Sequence, residues 1–98
     1  MFDTALQRGA DEILDLVHQV AVDLTHDTGR QITVVGWCGG DGKGGWEYVV
    51  EIDGNGCNLE VGNSDLLAFP CDKQVQAEVE TRIRQQMRFG LEVLWPPP

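Results

Sequence analysis

Three groups of residues carry side chains or backbone geometry that chemistry would need. The first is Trp37-Cys38-Gly39-Gly40-Asp41-Gly42-Lys43-Gly44-Gly45-Trp46, in which Gly40 to Gly45 satisfies G-x-G-x-x-G after a β-branched run. That pattern cradles a pyrophosphate only when a helix amino terminus follows the glycines directly, and Trp46 to Ile52 reads as a strand. A Walker loop fails too, because Trp37 stands where its first glycine should be and Gly44 where Ser or Thr should bind magnesium. The glycines are therefore expected to close a hairpin loop, with Asp41 and Lys43 at its tip.

The second group is Asp15/His18 and Asp23/His26, each spaced i, i+3 on an amphipathic helix. Such pairs place a carboxylate beside an imidazole and could hold a metal or poise a base. No second ligand cluster accompanies them, so a solvated acidic face is the expectation, and a small metal- or base-dependent enzyme using His18 and His26 is the alternative. The third group is Glu47, Glu51, Asp53 and Glu60, all on strands or at a strand end. Asp53 to Asn58 hints at a calcium loop, but Cys57 replaces an oxygen ligand and Asn58 occupies the position that requires glycine. With no nucleophile elbow and no H-E-x-x-H helix, no catalytic residue, metal ligand or cofactor is assigned.

The elements that must position these residues follow from periodicity. Leu6, Ala10, Ile13, Val17, Val20 and Leu24 recur at steps of three and four from Thr4 to about Asp27, an amphipathic helix capped by Asp3 and ended at Gly29. Gly9 weakens it by about 1 kcal/mol relative to alanine, so the helix is equally able to start at Asp11. Ile32 to Trp37 and Trp46 to Asp53 are β-branched and aromatic, and Trp46, Tyr48, Val50 and Ile52 alternate with Glu47, Val49 and Glu51. A type I′ turn at Asn55-Gly56 would set Ile52 opposite Leu59, Val50 opposite Val61, and Glu51 opposite Glu60 on the outer face. Symmetry about the glycine loop sets Trp37 opposite Trp46, on the face of Tyr48.

Leu66 to Phe69 reads as a short strand or a plug under the core. Asp72 then caps a second helix whose stripe is Val75, Val79, Ile83 and Met87, ended by Gly90. Alternation in Leu91 to Trp95 allows a short fourth strand, and Pro96-Pro97-Pro98 forms a proline tail that either blunts a sheet edge or offers a polyproline hook. The fold class expected is α+β: an α-β-β-β-α order with a three-stranded antiparallel meander packed against two helices. Residues 1–98 make one domain.

Charge narrows the partners. Sixteen acidic and seven basic residues give a net charge of −9, with 13 acids and 3 bases in residues 1–72. Such a surface repels nucleic acid directly and favours basic proteins. No run is apolar enough to span a membrane, and Met1 to Thr4 lacks the basic start of a secretory signal, so a cytoplasmic location is expected. Cys38, Cys57 and Cys71 show no paired spacing and are expected as reduced, mostly buried thiols. In a meander Cys38 and Cys57 fall at opposite ends of a strand, about 23 Å apart, which leaves Cys38 and Cys71 as the one pair able to approach.

The α-β-β-β-α order resembles a double-stranded RNA-binding domain in outline. That family uses a basic amino-terminal end of its last helix, whereas this chain has Asp72-Lys73-Gln74, so RNA binding does not carry over. The stretch from Thr4 to Phe69 is similar in layout and acidity to small secretion chaperones, and size and charge are similar to those of acidic phage-encoded inhibitors. The leading expectation is a small non-enzymatic adaptor, chaperone or inhibitor. It would dock a basic protein surface through Trp37, Asp41, Lys43, Trp46, Glu47, Glu51, Asp53 and Glu60. A nucleic-acid-mimicking, anti-CRISPR-like inhibitor of a DNA- or RNA-binding protein is the alternative within binding, and a homodimer is left open.

Overall fold

The computed structural model describes residues 4–39 and 45–94. Its elements are α1 (Thr4–Thr28), β1 (Ile32–Gly39), β2 (Gly45–Ile52), β3 (Asn55–Gly62), α2 (Asn63–Ala68) and α3 (Lys73–Leu94). The strands form one antiparallel sheet in the order β1-β2-β3, with β2 central. This is an α+β fold with three helices where the sequence suggested two.

Burial follows the two periodicities of helix and strand. Along α1, Ala10, Ile13, Val17, Val20, Ala21 and Leu24 are buried, and along α3 Val79, Ile83, Met87 and Leu91. Between them lie Ile32, Trp46, Tyr48, Val50, Ile52, Leu59 and Val61, all on one face of the sheet. Apolar side chains one residue apart in a strand point to opposite faces, so the helices cover that single face and leave the other open. Tyr48 ties the central strand to α1: its fully buried hydroxyl donates to the Ala10 carbonyl at 2.7 Å.

The β2–β3 hairpin turns earlier than the sequence suggested. Ile52 pairs with Asn55, so the two turn residues are Asp53 and Gly54, with φ of 50° and 88°. Both angles are left-handed, as a type I′ turn requires, and Asp-Gly meets that requirement as well as Asn-Gly does. Tertiary contacts favour Asp53. Its carboxylate accepts the Gln31 N–H at 3.1 Å and lies 3.7 Å from Arg30, while its own N–H donates to the Gln31 carbonyl at 2.9 Å. The expected and observed registers differ by four residues, an even number, so the odd positions of β3 stay on the core face. Val50 faces Cys57 rather than Val61.

Two glycines read differently once packing is included. At Gly9 an added Cβ would overlap the Leu66 carbonyl of α2, so this residue lets two helix backbones meet, and α1 runs unbroken from Thr4. At Gly90 a Cβ would lie 3.1 Å from Cys57 Sγ and 3.2 Å from Ile52 Cδ1. Gly90 is thus a close-approach position inside α3 and does not end it. The helix continues to Leu94, and residues 91–94 are helical instead of a fourth strand because Leu91 extends the buried stripe four residues past Met87. Leu66 to Phe69 is likewise no strand. Leu66 and Phe69 plug the core from a short helix and the turn after it. Asp72 caps α3 as expected, its Oδ1 accepting the N–H groups of Gln74 (2.9 Å) and Val75 (3.2 Å). Trp95 and the proline tail lie outside the described residues.

Two outcomes follow. Gly9→Ala, which helix propensity alone scores as favourable, is expected to destabilise the fold by about 1–3 kcal/mol through overpacking against Leu66, measured by urea denaturation. Tyr48 is the sole tyrosine, and burial, then the nearby Asp11 charge, raise its pKa above the ordinary 10.0. Only the unfolded chain ionises as pH rises past about 10, so stability falls there. Tyrosinate absorbance is expected to appear together with loss of circular dichroism, and Tyr48→Phe to remove that alkaline dependence.

Candidate protein-interaction face

The outer face of the sheet is built by register. Across β1 it takes Thr33, Val35, Gly36 and the Cys38 position; across β2 Glu47, Val49 and Glu51; across β3 Gly56, Asn58 and Glu60. Thr33, Val35, Glu51, Asn58 and Glu60 are exposed, and Glu47 and Val49 are half-buried. None of these strand positions carries a basic residue.

The acidic pair differs from the expected one. Glu47 lies directly opposite Glu60, whereas Glu51 lies opposite Gly56 on one side and Thr33 on the other. The four-residue change in register accounts for the exchange of partners. Like charges directly opposite on neighbouring strands are mildly destabilising, so the repulsion moves from Glu51 to Glu47. Asp53 leaves the face altogether, since its carboxylate is directed to the start of β1.

The chain's arginines are committed elsewhere. Arg84 reaches Asp23 at 2.8 Å and Glu80 at 3.8 Å, Arg88 reaches Asp27 at 3.6 Å, and Arg82 reaches Asp65 at 2.7 Å. Arg8 lies 3.5 Å from Glu12, and Arg30 lies against Asp53. The excess of arginine in the last quarter of the chain therefore folds back onto the acids of α1 and α2. The Arg84 hydrogen bond, followed by that of Gln19, holds the Asp23 carboxyl below its ordinary value.

At the far end of the β1–β2 hairpin the indoles of Trp37 and Trp46 lie 4.4 Å apart between ring centroids, tilted by 53°. Trp46 is 3% exposed and Trp37 38%. The expected pairing of Trp37 opposite Trp46 is replaced by Trp37 opposite Tyr48, two positions along β2; the one-residue bulge between Val34 and Gly36 moves Trp37 from the level of Glu47 to that of Tyr48 and so keeps it on the core face. The two rings share the core face and meet diagonally. Val35, the extra residue of the bulge, is 56% exposed. It was missed in the sequence, although a lone glycine inside a β-branched run, Gly36, is the signal of a bulge. Asp41 and Lys43 lie outside the described residues. The described chain resumes at Gly45 as β2, antiparallel to β1, so a strand and not a helix amino terminus follows the glycines.

The remaining candidates do not converge. His18 and His26 are exposed on α1, and no group of three or more His, Cys, Asp or Glu able to hold a metal occurs among the described residues. Cys57 is half-buried, and burial pushes its thiol pKa up; Cys71 is exposed, contrary to the buried reading. The side chain of Cys38 lies outside the described residues. No described helix is long and apolar enough to cross a membrane. Neither protein-family models, curated proteins nor solved structures contain a match to the chain.

The Asp23–Arg84 contact supplies a check on the charge pattern. Because the folded pKa of Asp23 is lowered, its contribution to stability is present above the ordinary value of 3.8 and is lost as pH falls through the folded value. Arg84→Gln is expected to return the Asp23 titration toward the ordinary value, read by carboxyl NMR, and to weaken the acid dependence of stability.

Proposed function

We propose that this chain is a small acidic protein-binding module, without catalytic activity, that docks a basic partner surface on the open face of its sheet. Glu47, Glu51 and Glu60 supply the charge, and Trp37, 38% exposed on the core side of the sheet at the end of β1, would be reached only by a partner that extends over that edge. The observation that carries the reading is the composition of that face: three carboxylates on strand positions that hold no basic residue, with no helix packed over them. A surface whose strand positions hold carboxylates and no basic residue is complementary in charge to a cationic partner. Asp53 is excluded from the site, since its carboxylate is engaged in the turn.

Charge reversal tests this directly. In co-purification from the native host, quantified by mass spectrometry, a basic protein is expected with the unaltered chain. It should be lost with Glu47→Arg, Glu51→Arg and Glu60→Arg combined, the fold being checked by circular dichroism. Retention of the same partner by the triple variant would remove the acidic face from the account. Displacement of the partner by nucleic acid would identify the module as a mimic of nucleic acid.

A further inference from the structure

The sheet has an open edge as well as an open face. Among the described residues β1 pairs only with β2, so along its eight residues the other side of its backbone has no described strand partner. No residue from Ile32 to Gly39 is charged, in a chain of net charge −9. Two of the large exposed hydrophobics, Val35 and Trp37, belong to it. An edge of this kind accepts an extended segment by main-chain hydrogen bonding, with alternate side chains of the added strand falling on the two faces of the sheet.

We infer that the β1 edge takes an extended segment of the basic partner as a fourth strand, its alternate lysines or arginines crossing β1 to Glu47 and Glu51. This inference rests on the reading of the acidic face given above and specifies its partner. Strands lie about 4.8 Å apart, so the added strand lies about 10 Å from β2. A lysine stem from one side and a glutamate from the other close that gap if the intervening β1 side chains are small. They are small where it matters. Thr33 stands beside Glu51, Cys38 beside Glu47, and Gly36, opposite Val49, between those levels. A Cβ built at Gly36 would meet no described atom within 4 Å other than those of its chain neighbours, so Gly36 leaves a notch beside the exposed Val35. On the other face, the remaining alternate residues would lie against half-buried Val34 and exposed Trp37, which calls for apolar side chains. The bulge disfavours a second copy as the occupant: symmetric antiparallel pairing would bring two bulges and two strongly acidic chains into one ladder.

The probe is an end-blocked octapeptide of alternating Lys and Val, fluorescently labelled and titrated with the intact chain at low salt. Its controls are a block-sequence peptide of the same composition and alternating peptides N-methylated on alternate nitrogens in either register. The alternating peptide is expected to bind at least about tenfold more tightly than the block peptide and than one N-methylated register. It should also protect β1 amides from hydrogen exchange. Glu47→Arg with Glu51→Arg, and separately Gly36→Leu, which fills the notch without altering charge, are each expected to weaken it. Equal binding of alternating, block and N-methylated peptides would overturn strand addition while leaving the acidic face as a docking surface. Absence of peptide binding would overturn it as well, as would β1 protection that appears without peptide and follows self-association in sedimentation. Recovery of the native partner with the triple charge-reversal variant would instead remove the underlying reading.

Discussion

The central strand sets the rest of this molecule. β2 is bordered on both sides, and its alternation sends Trp46, Tyr48, Val50 and Ile52 to one face and Glu47, Val49 and Glu51 to the other. Because a strand has a period of two, a slip of one residue would bury the glutamates and expose the core. Tyr48 anchors that parity. Its ring is fully buried and its hydroxyl reaches the Ala10 carbonyl, fixing the height of the sheet on α1.

One-sided burial then determines where function can be. Apolar stripes of α1 and α3 are used up against the covered face, and the arginines of α3 bind carboxylates of α1 and α2 beside that contact. The helices hold nine acids against five basic residues, and the arginines among them pair with acids of the helices, whereas no described strand position of the sheet carries a basic residue. An exposed ion pair contributes little to stability. Its consequence here is where the basic residues sit, on the helices and at Arg30 rather than on the described strands.

The close approaches show why local rules mislead at particular residues. Gly9 and Gly90 look like a helix defect and a helix stop when propensity alone is considered. Each instead removes a side chain where another backbone or side chain arrives, from Leu66 in one case and from Cys57 and Ile52 in the other. Gly36 is a third case, in which the missing side chain leaves an opening on the surface. The same residue type thus serves helix packing twice and surface shape once.

The amino-acid sequence by itself determined the class of the fold, the face that each apolar residue of β2 and β3 occupies and the position of the long first helix. Those properties depend on periodicity and on capping residues such as Asp72, which act over a few neighbours. Parity survived even where the turn was misplaced, because the Asn55-Gly56 and Asp53-Gly54 registers differ by an even number of residues. What tertiary structure alone decided was which residues stand opposite one another. The choice of Asp53-Gly54 depended on Gln31 and Arg30, 22 and 23 positions away in the chain, and the bulge at Val35 decided that Trp37 faces Tyr48. The continuation of α3 through Gly90 depended on how β3 meets it. Such choices are made by contacts between segments distant in the chain, and local periodicity carries no information about them.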